Sequence, residues 1–352
     1  MKLKQRMLYI SYPSRDPAVI QNTKQRMRAM QKAGYSITLM TCIPSWQEMR
    51  NLVYRHDMLC LRLDGSGLLD KISLIKFIAP KTRLVWELHG FREENYTSLA
   101  VRTALDVLWF RFKRFFLSML VDKYIFISDA LAHHAHMLLW KKPHVVIPNF
   151  VDNEVTFYAS KPLQRQTIKS LVQSHGFVVL WGGSATYPWH ALDIIAKVAE
   201  YIFRIDKKVL FLIIGSRPWY RYPYQPNITL LNTLPSELFQ SVVKRANVCL
   251  ALYRKTKLHP LYFSPLKMLD YMQLGKPTIS TTEIARHMGI VDGVHGYSSA
   301  NNAHDIAKKI LFLKRHPKTA RLMGKRAKRL VQTTRNTNQA AEKYREFLTR
   351  TI

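Results

Sequence analysis

Phe263-Ser264-Pro265-Leu266-Lys267-Met268-Leu269-Asp270-Tyr271-Met272-Gln273-Leu274-Gly275-Lys276-Pro277 reads as one helix running into a buried strand. Ser264 suits the cap, where its hydroxyl accepts from an orphan N–H. Pro265 suits the first helical position, where a missing N–H costs nothing. Gly275 suits the stop, ahead of the β-rich run at 277–280. The N–H groups after Ser264 then face an anion. Lys267 lies one turn inside and Asp270 three residues further, so both project from neighbouring positions of one side. The ammonium suits a phosphate and the carboxylate suits vicinal hydroxyls. From spacing alone, an ordinary amphipathic helix with a solvated Lys and Asp explains the pattern at least as well.

Outward from this stretch, short apolar β-rich runs alternate with longer helical patterns. The runs are at 7–11, 36–41, 58–63, 83–88 and 123–127, then 177–181, 209–214, 228–231, 248–252 and 277–280. Such alternation predicts parallel α/β sheets. The first group stops near Val145-Val146-Ile147-Pro148-Asn149, and residues 152–175 are polar and irregular. The expected division is therefore an N-terminal Rossmann-like domain over 1–150, a second over 151–335, and a last helix over 336–352. A ligand of two such halves should sit between them, against strand ends and helix N-termini.

Several loops could carry chemistry. The run 177–181 enters Gly182-Gly183-Ser184-Ala185-Thr186-Tyr187-Pro188-Trp189-His190, then a helical pattern from Ala191. Adjacent glycines admit close approach of a bound group, and the helix behind them favours an anion. A plain tight turn explains the pair as well, and His190 as a helix-start surface residue is equally open. After 248–252, Arg254, Lys255 and Lys257 offer cations. In the first half, the run 83–88 ends at His89-Gly90, where the imidazole can reach a ligand, and Glu87 is either its partner or an acceptor contact.

The 352 residues carry 54 Lys plus Arg against 23 Asp plus Glu, a net charge of +31. The excess is dispersed, so it concentrates phosphate-bearing partners without supplying the localised groove a nucleic-acid binder needs. Cys42, Cys60 and Cys249 are odd in number and far apart, which excludes a disulfide framework and a CxxC metal site. A reducing cytosol fits. The run 7–10 is too brief for a signal sequence.

Between Ala104 and Val121, Leu105, Leu108, Trp109, Phe112, Phe116, Met119 and Leu120 fall at helical spacing, which predicts packing on the sheet. Phe110 and Phe115, beside Arg111, Lys113 and Arg114, point instead to a membrane interface, with cations on lipid phosphates. The cations leave no apolar stretch long enough to span. The basic run 314–335 reads as a solvated helical face.

Residues 263–277 resemble the donor-binding signature of retaining family-4 glycosyltransferases of the GT-B fold, in the branch written SPxKxxEYMxxGKP. Further matches follow in order. Residues 126–131 and 146–152 resemble the family's ISxxL and IPNGVD stretches, 183–193 its GS…WHGxD loop, 213–215 its IIG strand end and 292–297 its DGxNG turn. The resemblance implies two Rossmann-like domains facing across a cleft and sugar transfer from a nucleoside diphosphate sugar. It places the donor on Gly182, Gly183, Ser264, Pro265, Leu266 and Asp270, with His89 on the donor sugar and Lys267 in catalysis. Ser184 and His190, also expected at the donor, stand where the family's glycine loop often has an Arg…Lys pair, and Arg254, Lys255 or Lys257 is expected to supply the missing cation in catalysis. Asp270 stands where the family has Glu on the ribose hydroxyls, and Tyr262 where it has the first Glu of a Glu-x7-Glu pair. No metal is implied, since no DxD pair is seen. The expected partners are a nucleotide sugar, a glycan or lipid-linked acceptor and an anionic membrane surface, with no specific nucleic acid. The expected place is the cytoplasmic face of the inner membrane. An epimerase or a catalytically silent sugar-nucleotide binder on the same fold is the alternative.

Overall fold

The computed structural model describes residues 5–11, 14, 16–42, 44–62, 69–91, 101–152, 176–185, 187, 189–215, 225–255 and 264–350. They fall into two compact units. One comprises Met1–Phe150, Tyr262–Ser264 and Thr337–Ile352, the other Val151–Leu261 and Pro265–Asn336.

The first unit runs β1 (Arg6–Ser11), α1 (Pro17–Lys32), β2 (Ser36–Met40), α2 (Trp46–Arg55), β3 (Met58–Arg62), α3 (Leu69–Ile78), β4 (Arg83–Leu88), α4 (Val101–Leu120), β5 (Lys123–Phe126), α5 (Asp129–His136) and β6 (His144–Val146). Its six strands are all parallel, in the order β2-β1-β3-β4-β5-β6. β3 is buried along its whole length, the mark of a strand covered on both faces. Local chemistry sets the helix starts. Asp16 accepts from the Ala18 N–H at the head of α1, and Ser45 with Glu48 closes a reciprocal capping box at α2.

The second unit runs β7 (Phe177–Gly182), α6 (Leu192–Ile205), β8 (Val209–Ile214), β9 (Ile228–Leu231), α7 (Ser236–Arg245), β10 (Val248–Ala251), α8 (Leu266–Gln273), β11 (Thr278–Thr281), α9 (Thr282–His287), β12 (Tyr297–Ser299), α10 (Ala303–Arg315) and α11 (Pro317–Thr334). Its strand order, β12-β11-β10-β7-β8-β9, is the dinucleotide-fold order 3-2-1-4-5-6 in reverse direction. The helix α12 (Thr337–Thr349) then returns to the first unit, where Ala340, Ala341, Tyr344 and Leu348 join the core of Met7, Tyr9 and Ile125.

Three expectations need correction. First, α8 starts one residue later than the cap reading predicts. Its cap is Pro265, with no side-chain capping bond, so Ser264 does not cap it. Gly275 does end it, at φ +68°.

Second, α4 presents its faces the other way round. Leu105, Leu108, Trp109, Phe112, Phe116 and Met119 are exposed, while Val107, Arg114, Leu117 and Ser118 are buried. Phe110 is half-buried and Phe115 exposed. With apolar side chains on nearly every side, periodicity alone does not choose the inner face. Arg114 is therefore no lipid-facing cation: its guanidinium lies 4.5 Å from the Phe91 ring centroid.

Third, the three-residue strands β6 and β12 were not separate apolar runs. The three cysteines are free; Cys60 and Cys249 are buried and Cys42 is exposed.

Candidate functional site

In an open parallel sheet, ligands gather beyond the carboxyl ends of the strands where the order reverses. In the second unit that point lies between β7 and β10, which pair directly. Gly182 ends β7 and Gly183 follows it, while Tyr253-Arg254 lie just beyond β10.

Gly183 and Gly215 form a pair of turns that only glycine fits. Both lie at positive φ, +149° and +126°. A Cβ on Gly215 would fall 1.7 Å from the Gly183 carbonyl oxygen, and one on Gly183 would fall 2.5 Å from Lys267 Nζ. The strand-end glycine of β8 thus lets the glycine turn of β7 lie against it. The Gly182 N–H donates to the Tyr271 hydroxyl at 2.9 Å and the Gly183 N–H to the Ile214 carbonyl at 2.8 Å. Both N–H groups are thus engaged within the unit. The glycines serve by having no side chain.

The bare turn is filled by Lys267. Its ammonium lies 4.1 Å from the Trp181 ring centroid and 5.1 Å from that of Tyr253. It also lies 3.3 Å from His190 Nε2. His190 Nδ1 is 2.6 Å from the Ser184 carbonyl oxygen, which can only accept. The proton therefore sits on Nδ1, and Nε2 is left to accept from Lys267. His190 is buried, with Trp181 edge-on to its ring at 5.2 Å, so it is not a helix-start surface residue. It orients the lysine that the glycine turn admits.

Both Lys267 and Asp270 sit on α8, whose first-turn N–H groups have no acceptor within the helix. Pro265 and Leu266 place those groups. Asp270 is half-buried, and burial pushes its carboxyl up to about 7 against a hydrogen bond from Gln240. Arg254 is held by Asp193 of α6 in an ion pair, and its own N–H donates to the Trp189 carbonyl. Its charge is thus shared with a carboxylate, while the Lys267 ammonium lies at the glycine turn. Lys255 pairs with Glu283 at 3.5 Å. Tyr262 and Lys257 lie outside the described residues. Trp181, Tyr253, Tyr271 and Gln240 were not singled out from the sequence. Only Trp181, one residue ahead of the glycines, carried a readable signal.

In the first unit, Ser264 contributes its carbonyl oxygen, which accepts from Asn149 Nδ2 at 2.6 Å. His89 ends β4 and belongs to a buried polar network. Its Nε2 lies 2.8 Å from Glu87 Oε1. The same carboxylate pairs with Arg26 at 2.7 Å, both side chains fully buried, and accepts from the Tyr9 hydroxyl at 2.9 Å. Arg26 in turn donates to the Tyr344 hydroxyl at 2.8 Å and to the Ile147 carbonyl at 2.9 Å. Burial alone would raise the Glu87 carboxyl, but Arg26 and His89 outweigh it and hold it at about 2. Burial, with the charges of Arg62 and Arg26, holds His89 at about 3 against the pull of Glu87. His89 is accordingly neutral near pH 7, with its proton on Nε2 and Nδ1 left as an acceptor. Glu87 is its buried partner, which decides between the two readings the sequence left open.

Among the described residues no cluster of three or more His, Cys, Asp or Glu side chains is placed to hold a metal ion.

Residues 176–316 match the family model described as Glycosyl transferases group 1. No curated protein matches the sequence at a significant level. Among solved structures, Anabaena HepE in complex with UDP and glucose is similar over 99% of this chain and 100% of its own, at TM-score 0.70 and 14% identity. Sucrose-phosphate synthase from Thermosynechococcus elongatus is similar over 98% of both chains, at TM-score 0.67 and 14% identity. A putative UDP-N-acetylglucosamine 2-epimerase from Listeria monocytogenes covers 97% of this chain and 94% of its own, at TM-score 0.55 and 11% identity. The glycine turn, Lys267 and Asp270 thus lie inside the stretch that matches the glycosyl transferases group 1 model, within a chain of two Rossmann-like units that has the GT-B fold.

Proposed function

We propose that this chain transfers a sugar from a nucleoside diphosphate sugar to a hydroxyl of a glycan or lipid-linked acceptor, retaining the anomeric configuration and using no metal. The observation that carries the reading is Lys267, held by His190 against the side-chain-free turn at Gly183, on the same short helix as Asp270. The ammonium and the first-turn N–H groups of α8 suit the diphosphate, and Asp270 suits the ribose hydroxyls. As the bond from the anomeric carbon to the diphosphate oxygen breaks, charge grows on that oxygen, and fixed donors stabilise it without reorganising. The acceptor oxygen bonds to the same face of the anomeric carbon, and its proton passes to the departing phosphate. His89, a neutral acceptor, suits a hydroxyl of the donor sugar. The ligands of Anabaena HepE, UDP-glucose in one structure and UDP with glucose in another, support a nucleotide sugar as donor.

The test is a panel of nucleotide sugars screened by thermal shift, since a ligand of the native state raises the midpoint. Product analysis of the hit follows. Release of nucleoside diphosphate with a glycosylated acceptor is the expected result. An isomerised sugar nucleotide would establish the epimerase reading, which the Listeria relative and Asp270 favour, and binding without turnover would establish a silent binder.

A further inference from the structure

We infer that the outward face of α4 is a seat for an anionic lipid surface. Leu105, Leu108, Trp109, Phe112, Phe116 and Met119 form it, each between 42% and 65% exposed. Their spacing of three and four residues puts them on one stripe, about 21 Å long at 1.5 Å per residue. The rings meet in a row. Trp109 stacks on Phe112 with centroids 5.8 Å apart, and Phe112 meets Phe116 at 4.6 Å. Phe116 meets Phe115 at 6.0 Å, and Phe115 meets the exposed Trp140, beyond α5, at 6.4 Å. Exposed apolar residues scattered singly need no explanation, but a continuous aromatic row marks an interaction surface. The row is also not what holds α4 in place, because Val107, Arg114 and Leu117 anchor the opposite side.

Charge selects the occupant. The Lys113 ammonium lies 4.8 Å from the Trp109 ring centroid, its stem along the apolar stripe. Arg111 is exposed on the same helix and Lys141 is exposed beside Trp140. Asp106 is the helix's single acidic residue, against Arg111 and Lys113 on its accessible surface; the buried Arg114 takes no part. Indole rings at headgroup depth, with basic groups reaching lipid phosphates, describe an interfacial helix. A second copy of this chain would bring another +31 and be repelled, whereas an anionic leaflet attracts it. Among the described residues no helix is long and apolar enough to cross a membrane, so α4 lies along the surface. This seat involves neither Lys267 nor the glycine turn, so it stands or falls separately from the transfer reading.

The test is co-sedimentation of the full chain with vesicles of phosphatidylcholine alone or mixed with phosphatidylglycerol. Binding to the mixed vesicles at low salt, weaker binding at high salt and none to the neutral vesicles is expected. The triple variant Trp109→Ser, Phe112→Ser, Phe116→Ser should keep its urea midpoint and bind the mixed vesicles about a hundredfold more weakly. Its nucleotide-induced thermal shift should equal that of the wild type. Unchanged vesicle binding by a folded triple variant overturns the inference. So does a wild-type dimer, or retention on double-stranded DNA, that the variant loses while neither protein binds vesicles. If the variant fails to fold, brominated lipid decides: quenching of wild-type tryptophan fluorescence supports the seat, and its absence refutes it.

Discussion

His89 makes stability depend on pH in a way its own replacement should remove. The folded state holds the imidazole at about 3, whereas an unfolded histidine titrates near 6.5. Between those values the unfolded chain binds one proton that the folded chain does not, so stability falls as pH falls below 6.5. Each pH unit is worth at most about 1.4 kcal/mol, which gives about 2 kcal/mol between pH 6.5 and pH 5. The figure is an upper bound, because 24% of the His89 side-chain surface remains exposed. Glu87 adds its own loss only below about pH 4.5, as its carboxyl is protonated toward about 2. A window from pH 7 to pH 5 therefore isolates the imidazole from its partner. His89→Gln keeps an N–H to donate to Glu87 and has no titration there. Urea denaturation of both proteins at pH 7 and pH 5 should show the wild type losing up to about 2 kcal/mol more than the variant. Equal losses would refute the account of a neutral, half-buried His89 bound to an ionised Glu87.

Three substitutions probe the second unit. Lys267→Ala should weaken nucleoside diphosphate binding, read by calorimetry, by about 1.5–3 kcal/mol, the value of a hydrogen bond to a charged group. Wild-type affinity would remove Lys267 from the site. Asp270→Asn should separate stability from function. With the wild-type carboxyl at about 7, donor affinity should rise as pH climbs from 6 to 8, and the variant should bind weakly and without that slope. The same variant should be the more stable protein at pH 8, where the wild type must keep a partly desolvated charge; a less stable variant would contradict the raised carboxyl. Tyr271→Phe strands the buried Gly182 N–H and should cost about 1–3 kcal/mol of stability by thermal or urea denaturation, and an unchanged midpoint would mean that the N–H finds another acceptor.

The alternating apolar runs placed most of the sheet because buried parallel strands are continuous in sequence. β4, β8 and β9 occupy the residues their composition suggests. β12, only Tyr297–Ser299, is too short to carry such a pattern. α4 failed differently: its helical period was legible, but which side faced the core was decided by contacts with Phe91 and α3, not by period. At the site, Lys267 and Asp270 were readable as near neighbours on one helix. The approach of Lys267 to Gly183 and His190 spans some 80 residues of chain, and no local spacing encodes it. The engagement of the two glycine N–H groups was equally invisible, since their acceptors come from β8 and α8.

The return of α12 has a consequence for synthesis. Tyr344 reaches Arg26 across 318 residues of chain, and Ala340, Ala341 and Leu348 complete the core around Met7 and Tyr9. A ribosome releases the N-terminus first, yet this core cannot close until residues 340–348 have emerged. The strands and helices of the second unit, all between Phe177 and Thr334, are available sooner. The domain translated first is therefore the last to be finished, and until then the apolar floor that α12 will cover, together with the Arg26–Glu87 pair, stands open to water and to chaperones.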